Sequence, residues 1–274
     1  MTINWFPGHM ATARKDIRAA MSDMDIVLEV LDARIPASSE NPLVVELRGE
    51  KPVIQILNKA DLADPAITAA WLEKIAETPN VRAVAHEQHQ PGLARSLVAL
   101  GRTMVPRKDR AMIAMILGIP NVGKSTLINA MAGRTIAKAE NRPGVTTTQQ
   151  RIRVGMDLVL LDTPGFLWPK LTPPARGYRL AITGAITDRV TDFQDLALFA
   201  ARFMAERYPQ HLVDHYGIPA VPEGEEPLLE AIAKRRGYLF KGGVPDMQRA
   251  SERLVLDLRS GALGRISLEA PGRE

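Results

Sequence analysis

The chain has 274 residues, 46% hydrophobic and 24% charged, which suits a water-soluble globular protein with one large core or two unequal domains. It contains no cysteine, which excludes disulfides, thiolate catalysis and cysteine-ligated metals, and no apolar run approaches the roughly 18 residues of a membrane span. The net charge of +4 resides in residues 232–274, with nine Lys/Arg against five Asp/Glu, so a basic end on a neutral body points either to an anionic partner such as nucleic acid or to a solvated helical face.

The first residues lack a signal-peptide pattern, so a cytoplasmic protein with no membrane role is expected. Residues 9–21 read as a short amphipathic helix exposing Arg14, Lys15 and Arg18. Asp25–Asp32 reads as a strand, Pro36 and Pro42 bracket a loop, and Leu43–Leu47 makes a helical turn. Val53–Leu57 is a second strand ending at Asn58, Ala66–Ile75 is helical, Val81–Ala85 is a third strand, and Leu93–Met104 is a helix. After a polar stretch, the apolar run Ala111–Leu117 reads as a buried strand, and Thr126–Met131 as a helix. Two strand candidates follow at Gln150–Val154 and Leu158–Leu161. Strands alternating with helices predict a mostly parallel α/β sheet covered on both faces. Pro169, Pro173 and Pro174 mark a junction. Beyond it only helical patterns occur, near 177–187, 192–207, 226–236 and 247–259. The expected division is therefore a sheet domain over 1–175 and a smaller all-helical domain over 176–274.

Between the Ala111 strand and the Thr126 helix lies Gly118-Ile-Pro-Asn-Val-Gly-Lys-Ser125, a phosphate-binding loop at every fixed position. The glycines allow a tight turn, the backbone N–H groups of 122–126 surround phosphate at a helix N-terminus, Lys124 reaches the β- and γ-phosphates, and Ser125 ligates Mg²⁺. Asp162-Thr-Pro-Gly165 follows an apolar strand, which suits an aspartate that holds Mg²⁺ through water and a Gly165 N–H that senses the γ-phosphate. Asn58-Lys-Ala-Asp61 also ends a strand. The Asp61 carboxylate can accept the two adjacent N–H groups of guanine, which adenine lacks, while Asn58 braces the base and phosphate loop and the Lys59 stem lies over the ring. A loop threonine completes the Mg²⁺ shell, with Thr146 placed first by its distance from Pro143-Gly144 and Thr147 next. Residues Val84–Glu87 are expected to offer a backbone N–H to guanine.

Together these motifs resemble the translation-factor-like GTPases, but Asn58–Asp61 precedes the phosphate loop instead of following it, as in a circularly permuted GTPase. Trp5-Phe-Pro-Gly-His-Met10, Asp32-Ala-Arg-Ile-Pro36, Asp162–Pro169, Arg236-Gly-Tyr-Leu, Gly242-Gly243 and Arg259–Glu269 narrow the resemblance to the ribosome biogenesis GTPase A (YlqF) family. That resemblance covers nearly the whole chain. It implies GTP hydrolysis with Mg²⁺, coupled to late assembly of the large ribosomal subunit, with GTP/GDP, subunit precursor and rRNA as partners; a monomer is expected, though the sequence itself does not give the oligomeric state.

The position after Gly165, often a water-orienting glutamine in GTPases, is Phe166. The resemblance points to His9 as the group that positions water, with an arginine or rRNA group of the ribosome as the other source. Asn121 resembles the asparagine that holds K⁺ in potassium-activated GTPases, against the plain alternative of a loop asparagine bonding its own backbone. Arg235, Arg236, Lys241, Arg249, Arg253 and Arg259 are candidate rRNA phosphate contacts. Two other readings compete: an ATP-dependent phosphotransferase, opposed by Asn58–Asp61, and an RNA-binding module with a vestigial nucleotide site, opposed by intact Lys124, Ser125, Thr146 and Asp162.

Overall fold

The computed structural model describes residues 10–88, 90–105, 109–133, 150–163, 165, 167–168, 171–186 and 192–272. Six strands, β1 (Ile26–Asp32), β2 (Val53–Asn58), β3 (Val81–His86), β4 (Met112–Gly118), β5 (Gln150–Val154) and β6 (Leu158–Asp162), form one sheet in the order β3-β2-β1-β4-β6-β5. Every neighbouring pair is parallel except β5 with β6. The two longest apolar runs occupy the middle, where both faces must be covered.

Alternation along β1 sorts the two cores. Ile26, Leu28 and Val30 pack with Leu97 of α5 (Leu93–Met104) and with Leu127 and Ile128 of α6 (Lys124–Ala132). Val27 faces the other way, against Ile17 and Met21 of α1 (Met10–Met21) and Val44 and Leu47 of α3 (Pro42–Arg48). Leu31 meets Ile75 of α4 (Pro65–Ala76) on that same side. The stretch expected as a loop between Pro36 and Pro42 instead starts two helices, α2 (Pro36–Ser39) and α3, each with proline at its first turn, where its missing N–H costs nothing.

Beyond the sheet lie α7 (Pro174–Ile182), α8 (Phe193–Arg207), α9 (Pro209–Tyr216), α10 (Glu225–Arg236) and α11 (Met247–Ser260). Leu196, Ala200 and Met204 of α8 are buried with Leu254, Val255 and Leu258 of α11. The helix expected over 177–187 begins earlier and stops at Ile182, because Gly184 adopts a left-handed φ of 82°. α9, unanticipated, is bounded by Pro209 and by Gly217 at φ 66°. Among the described residues the helical region contains no strand, only an isolated bridge between Leu239 and Pro245.

Two connections join the parts. Leu167, Trp168 and Leu171 are buried in the same continuous core as the sheet and the helices, and the Arg176 guanidinium lies 4.2 Å from the Trp168 ring centre. Residues 265–269, beyond α11, return to the sheet. The backbone N–H of Ile266 donates to Leu62 O and that of Leu268 to Arg34 O, while Glu269 accepts from the Ser38 N–H and hydroxyl.

Candidate nucleotide-binding site

The phosphate loop begins where β4 ends. A Cβ on Gly118 would come within 2.8 Å of Val30 O, so glycine lets this strand end lie tight against β1. At Gly123, φ is 95° and a Cβ would fall 2.5 Å from Asn58 Nδ2, so a side chain there would break the contact with the second motif. α6 starts at the next residue, Lys124, and presents its unpaired first-turn N–H groups to the loop.

β6 runs parallel to β4 and places Asp162 beside Ile116. Lys124 Nζ donates to Asp162 Oδ1 at 2.6 Å, and both side chains are buried. Gly165 closes on the loop from the same side, with its missing Cβ 3.2 Å from the Pro120 backbone. Ser125, on the first turn of α6, follows the lysine. A lysine, a hydroxyl, a carboxylate and a glycine cradle at one strand end fit a Mg²⁺-bound polyphosphate by donor chemistry.

The Asn58–Asp61 motif, expected to select guanine, reaches the same loop. Asn58, at the end of β2, donates from Nδ2 to Val122 O at 2.8 Å. Lys59, at φ 60°, donates from Nζ to Asn121 O at 2.8 Å and to Asp32 Oδ2 at 3.1 Å. Asp32 also accepts both arms of the buried Arg34 guanidinium, at 2.9 and 2.8 Å. Burial opposes the charge on Asp32, but Arg34 and Lys59 outweigh it and hold the carboxyl well below the usual carboxylate range. Asp61 Oδ1 accepts the Gln88 N–H at 3.0 Å, and Gln88 directly follows the Val84–Glu87 segment. His86, paired in register with Asn58, is buried; burial pushes its imidazole below its ordinary value against the pull of Asp61 and Glu87.

Asn58, Lys59, Asp61, Asn121, Val122, Gly123, Lys124, Ser125, Thr126, Asp162 and Gly165 thus gather at the C-terminal ends of β2, β4 and β6. His9, Thr146, Thr147 and Phe166 lie outside the described residues. Asn121 sits in the left-handed region at φ 56° and donates from Nδ2 to Gly184 O at 2.8 Å, linking the phosphate loop to the helical region. Sequence reasoning missed the Asp32–Arg34 brace and Gln88. It also missed Arg265, which donates to Ala60 O at 2.8 Å, Ala63 O at 3.0 Å and Glu87 at 3.2 Å, spanning the loops that follow β2 and β3. The Asp-x-Arg spacing at the end of an apolar strand was a visible signal for the first; for the others nothing local points across such distances in sequence.

Among the expected rRNA contacts, Arg235, Arg236, Lys241 and Arg249 are exposed. Arg253 pairs with Asp257 at 2.7 Å and stays part-exposed. Arg259 departs from the expectation: its guanidinium donates to Ile182 O at 3.1 Å and Ala181 O at 3.0 Å, satisfying carbonyls at the end of α7. No helix among the described residues is long and apolar enough to cross a membrane.

Against known proteins, the family description "50S ribosome-binding GTPase" matches residues 113–214, a span that starts at β4 and leaves Asn58–Asp61 outside. The chain is 43% identical to the ribosome biogenesis GTPase A of Bacillus cereus, with 99% of this chain and 95% of that protein covered. It superposes on a GDP-bound YlqF structure at a TM-score of 0.69 with 28% identity, covering 94% of this chain and all of that one. A GNP-bound YlqF from T. maritima gives 0.67 with 27% identity, covering 96% of this chain and all of that one.

Proposed function

The chain belongs to the ribosome biogenesis GTPase A family, and we propose on that premise that it is a GTP-hydrolysing assembly factor of the large ribosomal subunit, acting in the cytoplasm as a monomer on subunit precursor and rRNA. One observation carries the reading: Asn58 and Lys59 hydrogen-bond the carbonyls of Val122 and Asn121, so guanine selection and phosphate binding form one mechanical unit despite their inverted order in the chain. Cosedimentation with large-subunit precursors tests it. Binding with a non-hydrolysable GTP analogue and release with GDP are expected; equal binding in both states would remove the switch.

When bound, Mg²⁺ would neutralise charge on the phosphates, held by Ser125 and Asp162 with Thr146 as the further ligand. Lys124 serves the phosphate oxygens as a point charge, and the N–H groups of 122–126 and Gly165 supply fixed dipoles. The output runs through the junction. Gly165 leaves no room for a side chain beside Pro120, and Leu167, Trp168 and Leu171 are packed in the common core, so a shift at Gly165 is transmitted to α7 as a movement of packed side chains. On this reading residues 1–175 form the switch and 176–274 the part that meets rRNA.

Asp61→Asn is expected to weaken GTP by about ten- to a hundredfold, the cost of losing hydrogen bonds to a charged acceptor. GTP should lose its advantage over ATP, while a xanthine nucleotide, which carries a carbonyl where guanine has its amine, should gain. Fluorescent-nucleotide titration checks all three, and unchanged affinities would remove Asp61 from base recognition.

Asn121 is proposed to hold K⁺ near the phosphates. Its donation from Nδ2 to Gly184 O leaves Oδ1 as the acceptor end of the amide. Turnover should be several-fold faster in K⁺ than in Na⁺ at matched ionic strength, and Asn121→Ala should abolish the difference. Asn121→Asp keeps an oxygen and loses the donor to Gly184, so it separates cation binding from the link between the two regions. Equal rates in both salts for the unmodified protein would end the proposal.

A further inference from the structure

The turn between α10 and α11 is built unlike the rest of the helical region. Tyr238 N donates to Ala233 O as α10 ends, Phe240 N to Val244 O, Gly243 N to Phe240 O and Asp246 N to Tyr238 O, with Leu239 bridged to Pro245. Gly242 and Gly243 stand at φ 86° and 78°, which fixes a tight tip that other residues would strain. This hydrogen-bonded hairpin points apolar side chains outward. Phe240 is 60% exposed, Val244 57% and Leu239 45%, and these are three of the six large apolar residues that the described residues expose.

Around that tip, residues 234–253 carry six Lys/Arg against two Asp/Glu. Both carboxylates are occupied: Asp246 caps α11 by accepting Arg249 N, and Glu252 accepts from Gln248. Lys234 is paired with Glu230 on the same helix, Arg235 donates to Gly217 O, and Arg236 bonds His215 and lies over the Tyr216 ring, so Lys241 and Arg249 are the exposed cations nearest the tip. The Arg249 guanidinium lies 4.4 Å from the Tyr238 ring centre, which holds a planar cation at the foot of the hairpin.

We propose that this hairpin is a contact for single-stranded RNA, in which Phe240 stacks on an unpaired base and Lys241 and Arg249 meet the flanking phosphates. The proposal rests on the rRNA reading above and gives it a site and a class of RNA. The one exposed aromatic of the tip, Phe240, adjoins Lys241 inside a stretch of net positive charge, which suits a polyanion with stackable faces. A stacking side chain inside a positive field is the way proteins hold unpaired nucleotides, since every base offers a π-face once it leaves a helix. Duplex RNA keeps its base faces stacked, so it gains only the phosphate contacts.

The test uses the full chain with a labelled single-stranded RNA of about twelve nucleotides, the matching duplex, and large-subunit precursor with a non-hydrolysable GTP analogue. Phe240 is exposed, so its substitution leaves the core intact. Phe240→Ala should lose about tenfold in affinity for the single strand with an unchanged salt dependence, and should bind the duplex as before. Phe240→Trp should restore binding, and Phe240→Leu should not, which separates stacking from simple apolar contact. Lys241→Ala and Arg249→Ala should each lower the salt slope by about one and weaken both RNAs. If Phe240→Ala matches the unmodified protein on single strand and precursor alike, the hairpin is no RNA contact, while the wider assembly reading stands. If it loses the precursor but not the oligonucleotide, the tip meets a ribosomal protein and stacking is refuted. If the unmodified protein binds neither RNA nor precursor, the rRNA reading itself falls.

Discussion

Lys124→Ala should cut single-turnover GTP hydrolysis on large-subunit precursors by about 10²–10³-fold, the usual cost of removing one fixed group that stabilises developing charge. The structure adds a second effect that the motif does not announce. Lys124 Nζ and Asp162 Oδ1 form a buried pair at 2.6 Å. Removing the lysine leaves a buried carboxylate without its partner, which typically costs about 3–5 kcal/mol. The nucleotide-free variant should therefore melt well below the unmodified protein. The double variant Lys124→Ala with Asp162→Asn should recover part of that loss, because no charge is then stranded. Denaturant titration of these proteins and of the single variant Asp162→Asn completes the cycle and measures the coupling. Undiminished hydrolysis by Lys124→Ala would show that the loop is not the active site, and strictly additive stabilities would show that the pair is uncoupled.

The second large effect is expected at His9. Phe166, next to Gly165, is a hydrocarbon side chain where a water-orienting amide commonly stands, and it can neither orient nor polarise water. A polar group must come from elsewhere, and an imidazole that donates or accepts near neutral pH has the right chemistry. An interaction made only in the transition state lowers turnover and leaves ground-state binding alone. His9→Ala should bind GTP and precursor normally, yet hydrolyse about 10²–10⁴-fold more slowly. Single-turnover rates at saturating precursor, with GTP affinity measured beside them, decide the matter. Unmodified turnover would clear His9 of a catalytic part, and equal losses in rate and affinity would make it structural.

Much of the nucleotide site was legible because its signals are local. A glycine turn between an apolar strand and a helix specifies the phosphate loop within eight residues, and Asn58 and Asp162 each end a strand that reads as a strand on its own. The inverted motif order already implied that β2 and β4 approach through tertiary structure, and the sheet brings them together with β1 between them. What was not legible depends on pairs far apart in the chain. Arg259 looks like any basic residue on a helix until α7 is seen to end beside it with open carbonyls. Pro36 and Pro42 read as loop brackets because proline breaks helices, yet the same fixed φ starts them. α9 was invisible because eight residues between Pro209 and Gly217 show too few turns for periodicity to register.

The clasp that Arg265–Glu269 places on the loops that follow β2 and β3 sets an order of events during synthesis. Arg265 follows Ala60 and Ala63, whose carbonyls it binds, by 205 and 202 residues. At about 5–20 residues per second, the loop bearing Asp61 is made roughly 10–40 seconds before the arginine that pins it. Sequence separation of that size makes the clasp one of the last contacts to form, since its loop-closure entropy is recovered only after the helices between are in place. The nascent chain, tethered to a ribosome throughout, therefore carries a phosphate loop long before its Asp61 loop is fastened. A fusion or truncation that disturbs residues 265–269 would register first as faster nucleotide exchange, at the opposite end of the chain from the change.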